Sequence, residues 1–184
     1  MIRFAKPEDA EEVAPLMFQA MEDIVYKIIG KNNKNEGILF LKQLFESENN
    51  QYSYQNAIVY VENEKILGSI VFYDGGKLIS LRKPVLDLAE QRFGNKVQME
   101  DETQTGETYI DTLSVAPQTQ GKGIGTKLLH YLINYVQQHQ LPKLTLLVDT
   151  TNPNAKKLYS RLGFVEVGEQ TLAGGTYLQM VYRK

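Results

Sequence analysis

The sequence predicts a mixed α/β (α+β) domain, one sheet with helices packed on its faces. Three observations carry that reading. Short runs rich in β-branched and aromatic residues, such as "AIVYVE" (57–62), "ILGSIVFY" (66–73) and "LTLLVD" (144–149), read as strands. Other stretches repeat their apolar residues every three or four positions, as a half-buried helix does. The two kinds alternate along the chain, so helices must cover a shared sheet. The chain has 184 residues, enough for one core and too few for two large ones, so 1–184 is expected to be a single domain.

Taken in order, Ile2–Ala5 is a short strand. Pro7 then opens a helix, where its missing N–H is harmless and Glu8 and Asp9 suit the positive end of the dipole. Val13, Leu16, Met17, Ala20, Met21, Ile24 and Ile28 carry its helical spacing, and Pro15 is expected to kink or break it. Residues 36–46 form a second helix, and "ENNQYSYQN" (48–56) is a polar loop. Strands 57–62 and 66–73 join through a turn at Asn63 and Glu64. Residues 83–93 form a helix with Pro84 in its first turn and Gly94 as its cap. The acid-rich stretch 95–107 is either a solvated linker or a lid, and 77–107 as a whole reads as an insertion. Strand 108–115, helix 124–139, strand 144–149, a helix at 153–162 closed by Gly163, and strands 164–168 and 176–182 complete the chain. That last strand could pair with a second copy, which makes a homodimer an expectation.

Composition removes several function classes. The net charge is −2 and the Lys and Arg residues are scattered, so a nucleic-acid role is not expected. There is no cysteine, which excludes a disulfide framework, a thiolate metal site and a cysteine nucleophile. His130 and His139 are nine apart in one helix, about 900° of turn, and so face opposite ways. Both are expected near the surface, and neither a zinc pair nor a Ser–His triad fits them. The opening "MIRFAKPEDAEE" lacks the apolar core of a secretory signal. No run approaches the roughly 18 apolar residues of a membrane span. A cytoplasmic protein is expected.

The chemistry concentrates in "GKGIG" (121–125), where a strand hands over to a helix. Glycine weakens helices, so three of them at a helix start need a reason. The first N–H groups of a helix lack internal partners, and with the dipole they attract a phosphate. The Walker pattern, the dinucleotide fingerprint and the kinase loop all need glycine at 126, which is Thr126. What remains is Q-x-x-G-x-G over Gln120, Gly123 and Gly125, weak by itself and compatible with a ligand-free turn.

The flanks add specificity. "L-x-V-x-P-x-x-Q-G-x-G-I-G" runs from Leu113 to Gly125, and "N-x-x-A-x-x-L-Y-x-x-x-G-F" from Asn152 to Phe164. Together they resemble the GNAT superfamily of acetyl-CoA-dependent N-acetyltransferases. The likeness runs over nearly the whole chain and is densest over 109–164. It implies a mostly antiparallel central sheet splayed in a V, with helices on both faces. It implies that Gln120, Gly121, Lys122, Gly123, Ile124, Gly125 and Thr126 hold the pyrophosphate of acetyl-CoA. It implies that the strand around Leu113, Ser114 and Val115 pairs with the pantetheine arm. Asn154 would contact that arm, and Tyr159 would lie beside the sulfur and protonate the departing thiolate. No metal is implied.

An amine with a pKa of about 10.4 must lose its proton before it attacks a thioester. Strict strand alternation puts Tyr109, Asp111, Leu113 and Val115 on one face, and Thr108, Ile110, Thr112 and Ser114 on the other. Asp111 is then a carboxylate among apolar neighbours, where burial raises its pKa. It is read as base or amine binder, or as a structural carboxylate; Glu107 is a weaker candidate. Glu100, Asp101 and Glu102 either attract a cationic acceptor or form a solvated face. The tyrosines at 52, 54, 60, 73, 109, 177 and 182 either line an acceptor pocket or pack strand edges. The expected reaction is direct acetyl transfer to a primary amine, with a small molecule favoured as acceptor. A non-catalytic acyl-CoA sensor, a longer acyl donor and a ligand-free structural domain are the alternatives.

Overall fold

The computed structural model describes residues 1–183. Strands β1 (Ile2–Phe4), β2 (Ala57–Glu62), β3 (Lys65–Asp74), β4 (Glu107–Val115), β5 (Lys143–Asp149), β6 (Phe164–Leu172) and β7 (Gly175–Tyr182) form one open sheet. Their order is β1-β2-β3-β4-β5-β7-β6, antiparallel throughout except for β4 beside β5. Helices α1 (Ala10–Ile29), α2 (Lys34–Glu46) and α3 (Leu78–Phe93) cover one face. Helices α4 (Ile124–Gln138) and α5 (Pro153–Leu162) cover the other. Alternation along the strands feeds two separate cores. Val59, Val71 and Tyr73 pack under α1–α3, while Ile58, Ile70 and Phe72 pack under α4 and α5. Among the described residues, no helix is long and apolar enough to cross a membrane.

The parallel pair creates the site. β4 and β5 are in register from Glu107 opposite Lys143 to Ile110 opposite Leu146, and no further. Beyond that point the strands part, and the C-terminal half of β4 faces an opening where a neighbour would otherwise lie. The V expected from the family likeness is this divergence.

Local signals explain the helix ends. The Asn33 side chain accepts from Glu36 N–H at 3.1 Å and caps α2. Asn152 accepts from Ala155 N–H at 3.1 Å, Pro153 takes the first helical position, and Gly163 closes α5 at φ 106°. Other expectations need correction. Pro15 leaves α1 helical; the one break is at Met21, with φ −141° and ψ 34°. Pro15 lies on the exposed side, where water can bond the Glu11 carbonyl that it leaves free. Helix α3 begins at Leu78, so Pro84 falls in its second turn rather than its first. The hairpin strands β6 and β7 are longer than expected. The polar loop 48–56 is partly internal: Asn50, Gln51, Tyr52 and Ser53 are all buried.

The most consequential correction lies in β4. Val71 pairs with Thr112 but Phe72 pairs with Ile110, so Asp111 is an extra residue in a β-bulge. The bulge resets the alternation. Tyr109, whose partner is Tyr73, packs under α1–α3, whereas Leu113 and Val115 pack with Ile110 on the α4 side. The expected single face of Tyr109, Asp111, Leu113 and Val115 is therefore split in two.

Candidate active site

The opening between β4 and β5 is a cleft of about 1000 Å³. Its walls come from the second half of α1, the end of β4, the glycine turn, β5 and α5. The predicted Leu113, Ser114, Val115, Gln120, Gly121, Gly123, Ile124, Gly125, Thr126 and Asn154 all line it, as do Asp111 and Tyr159. Lys122 is the exception among the predicted residues; it is exposed outside the wall.

At one end the glycine turn enters α4. Gly121 and Gly123 sit at φ 77° and 79°, a left-handed conformation that side chains resist, and Gly123 is the N-cap. No side chain caps this helix. The Lys127 N–H takes the Gly123 carbonyl at 3.0 Å, so the N–H groups ahead of it remain for a ligand. A β-carbon on Gly121 or Gly123 would meet nothing within 4 Å. That is the shape of a bare cradle at a positive helix end, and it fits a diphosphate. Gln120 fastens the turn to the strand: its Nε2 donates to the Val115 carbonyl at 3.1 Å. Gln19 of α1 donates to the same carbonyl at 3.0 Å and to Ser114 Oγ at 3.0 Å. Asn152 serves as the α5 cap, which leaves the exposed Asn154 side chain free at the cleft wall.

Tyr159 is 8% exposed and stacks edge-on with Phe164 at 5.7 Å between ring centres. Burial pushes its phenol up to about 12, so it keeps its proton at neutral pH.

The other end is acidic. Tyr73 donates to Asp111 Oδ2 at 2.7 Å, and Gln51 Nε2 reaches the same oxygen at 3.0 Å. Both also reach a second carboxyl: the Gln51 amide donates to Glu102 Oε1, and the Tyr73 hydroxyl is 3.2 Å from it. Two carboxyl groups thus share one amide and one phenol. Glu102 is pushed up to about 8, first by burial and then by the neighbouring Asp111, with Arg82 opposing. Asp111 is raised as well, by burial, against its hydrogen bonds from Tyr73 and Gln51. Glu102 thus keeps its proton at neutral pH, and the two carboxyls titrate as a pair. Arg82 fixes the loop that brings Glu102 in: it donates to the Met99 carbonyl at 3.2 Å, the Glu100 carbonyl at 2.9 Å and Asp101 Oδ1 at 3.0 Å, and lies 3.5 Å from Glu102.

The acid run 100–102 is therefore divided. Glu100 and Asp101 are exposed, but Glu102 is only 8% exposed and lines the cleft, neither a solvated face nor part of a linker. Sequence reasoning named Glu102 only as one of three acids that attract a cationic acceptor or form a solvated face, and it missed Gln51, Arg82 and Gln19. Glu107, the weaker base candidate, does not line the cleft; it accepts from Thr103 Oγ1 at 2.8 Å and lies 3.7 Å from Lys143. Of the tyrosines in doubt, Tyr52, Tyr109 and Tyr177 line the cleft. Tyr73 stands behind Asp111, and Tyr54, Tyr60 and Tyr182 belong to other surroundings. His130 and His139 are both exposed. Among the described residues, no group of three or more His, Asp or Glu is placed to hold a metal ion.

A bulged β4 parting from β5, with a bare glycine cradle at the opening, defines an acyltransferase fold, and comparison with known proteins agrees. A sequence model of the acetyltransferase (GNAT) family matches residues 25–164, and the chain belongs to that family. It is similar to a solved acetyltransferase at 30% identity and a TM-score of 0.82, covering 99% of this chain and 98% of that one. It is 26% identical to the spermine/spermidine N(1)-acetyltransferase of Bacillus subtilis (strain 168), over 65% of this chain and 80% of that protein. A shorter stretch, 39% of the chain, is 42% identical to a mycothiol acetyltransferase of Acidothermus cellulolyticus, but spans only 22% of that protein's length.

Proposed function

We propose that the chain transfers acetyl from acetyl-CoA to a primary amine by direct attack. The observation that carries this is the buried Glu102–Asp111 pair, which opens onto the same cleft as the glycine cradle and Tyr159. In this reading the backbone N–H groups from Gly121 to Thr126 hold the diphosphate, and the free half of β4, Leu113 to Val115, pairs with the pantetheine arm. Asn154 steadies that arm from α5.

The amine enters as an ammonium and gives one proton to the ionised member of the carboxyl pair, Asp111, whose raised pKa suits it to that task. The neutral nitrogen attacks the thioester carbon, and a strand N–H of Leu113 or Val115 supports the oxyanion. The C–N bond forms and the C–S bond breaks. Tyr159 gives its proton to the leaving sulfur and recovers one from the new amide nitrogen through the cleft. The balance is ammonium plus acetyl-CoA to N-acetyl-amine, CoA thiol and one proton. A protein without cysteine offers no acyl carrier of the thiol kind, which favours direct attack. The amine named for the Bacillus relative is consistent with such an acceptor.

The test is thiol release from acetyl-CoA over a panel of primary amines; the chain contributes no thiol background of its own. Amine-dependent release is expected. Tyr159→Phe should lower kcat by about 100-fold, within the range of a lost general acid, with acetyl-CoA affinity kept. Binding without release from any amine would point to an acyl-CoA sensor, and no binding would overturn the proposal.

A further inference from the structure

Resting on that reading, we infer that Gln51 is a positioning residue for the transfer: its amide bridges Asp111 and Glu102 and keeps Asp111 as the ionised carboxyl that takes the amine's proton.

Gln51 acts only through its neighbours. It is 2% exposed and stands behind the cleft wall. Its backbone is already fastened: the Gln51 N–H donates to the Leu81 carbonyl of α3 at 3.0 Å, and the Gln51 carbonyl accepts from Asn56 Nδ2 at 3.4 Å. The side chain has no such duty. Among the described residues it bonds only to Tyr73, Glu102 and Asp111.

The two carboxyls share the available hydrogens unequally. A glutamine amide has two N–H groups and a phenol has one O–H. The Gln51 nitrogen reaches Asp111 Oδ2 at 3.0 Å, Glu102 Oε1, and the Tyr73 oxygen at 3.0 Å. Carboxyl oxygens are the stronger acceptors, so each carboxyl takes one N–H. Tyr73 is 2.7 Å from Asp111 Oδ2 and 3.2 Å from Glu102 Oε1, so its single proton goes to Asp111. Asp111 thus receives two donors from these neutral groups and Glu102 one. Hydrogen bonds to the charged form favour that form. Both donors fall on Oδ2, and Oδ1 has no partner among the described residues, which leaves it for the amine. Arg82 lies 3.5 Å from Glu102 but aims its N–H bonds at the Met99 and Glu100 carbonyls and at Asp101. The other titratable groups around Asp111 are Tyr73 of β3, Glu102 of the stretch before β4, Tyr52 of the loop and Tyr109 of β4; α1 brings Glu22 and Asp23 to the same cleft. Only Gln51 and Tyr73 donate to Asp111 among the described residues.

The test is a carbon-13 NMR titration of the Asp111 carboxyl in the native chain and in Gln51→Met, which keeps the side-chain length and removes the donor. The Asp111 midpoint should rise. With acetyl-CoA and the fastest amine of the panel, kcat/KM should fall about tenfold at pH 7, as for one lost hydrogen bond to a charged group. It should recover toward the native value as pH rises, with acetyl-CoA affinity unchanged. A merely structural role would lower kcat/KM equally at every pH. If Gln51→Met does not fold, Gln51→Glu keeps the shape and should raise the midpoint likewise. An unmoved midpoint, or a loss that does not vary with pH, overturns the inference. A raised midpoint with no thiol release from any amine would uphold the bridge, and the acetyl-transfer reading alone would fall.

Discussion

The two ends of the cleft recognise charge by opposite means. At the glycine turn the chain removes side chains and offers backbone: Gly121 and Gly123 adopt left-handed φ, and uncapped N–H groups at the start of α4 face the opening. At the acid end side chains form the site, with Arg82 tying the loop backbone in place. Gln51, Tyr73, Arg82, Glu102 and Asp111 converge there from two loops, two strands and a helix. The first end cannot titrate, because a peptide N–H keeps its proton. The second is defined by titration, because two buried carboxyls with raised pKa values meet there. Binding at the first should be steady across pH, and chemistry at the second should not be.

The largest expected effect breaks the backbone end alone. Gly123→Val forces a β-branched residue to φ 79°, where it is a genuine outlier, and deforms the cradle. Calorimetry should show acetyl-CoA affinity falling by about 100-fold, with circular dichroism unchanged. The raised pKa of the acid pair should persist. A variant that binds normally would remove the backbone end from the comparison.

Glu102→Gln sharpens the other side with a smaller effect. In the native chain Glu102 keeps its proton up to about pH 8, whereas an unperturbed glutamate loses it near 4.5. Between those values folding takes up a proton, so stability falls as pH rises from about 4.5 to about 8 and then levels. Burial raises the value most and Asp111 adds to it, while Arg82 and Tyr73 oppose them. Glutamine keeps the shape and removes the charge, so urea midpoints should lose most of that slope. An unchanged slope would mean that Glu102 is not the group that takes up the proton.

The same contrast explains which parts could be read in advance. The glycine turn, the Asn152 cap, Gly163 and Tyr159 lie in two short segments whose spacing is local, so pattern and propensity reach them. Asp111 was identifiable as a carboxylate in the right strand, but its orientation was not, because nothing in "TYIDTLSV" marks the bulge that adds it to β4. Glu102 lay hidden in an acid run that looks solvated; its burial depends on Arg82, twenty residues earlier on α3. Gln51 sits in a loop of polar residues whose burial only the distant strands decide. Convergence of this kind leaves no period in the sequence. Pro15 was misleading for the opposite reason: a strong local signal had little effect on the exposed side of α1.

The smallest predicted effect separates geometry from ligand within the glycine turn itself. Gly125 differs from its two neighbours because its φ is not left-handed. A β-carbon there would rest at ordinary contact distance, 3.6 Å from Leu158, 3.7 Å from Val115 and 3.9 Å from Leu113. The fold therefore tolerates alanine, and the first turn of α4 should gain about 0.5–1 kcal/mol from it, a rise of roughly 1–4 °C in Tm. Yet Gly125 lines the cleft beside β4, where the new methyl would stand in the path of a ligand lying on the strand. Gly125→Ala is thus expected to be more stable and to bind acetyl-CoA several-fold more weakly. A thermal melt and a titration on one preparation measure both. Opposite signs would show that this glycine is kept for the ligand, and a stabilised variant with native affinity would show that the cradle ends at Gly123.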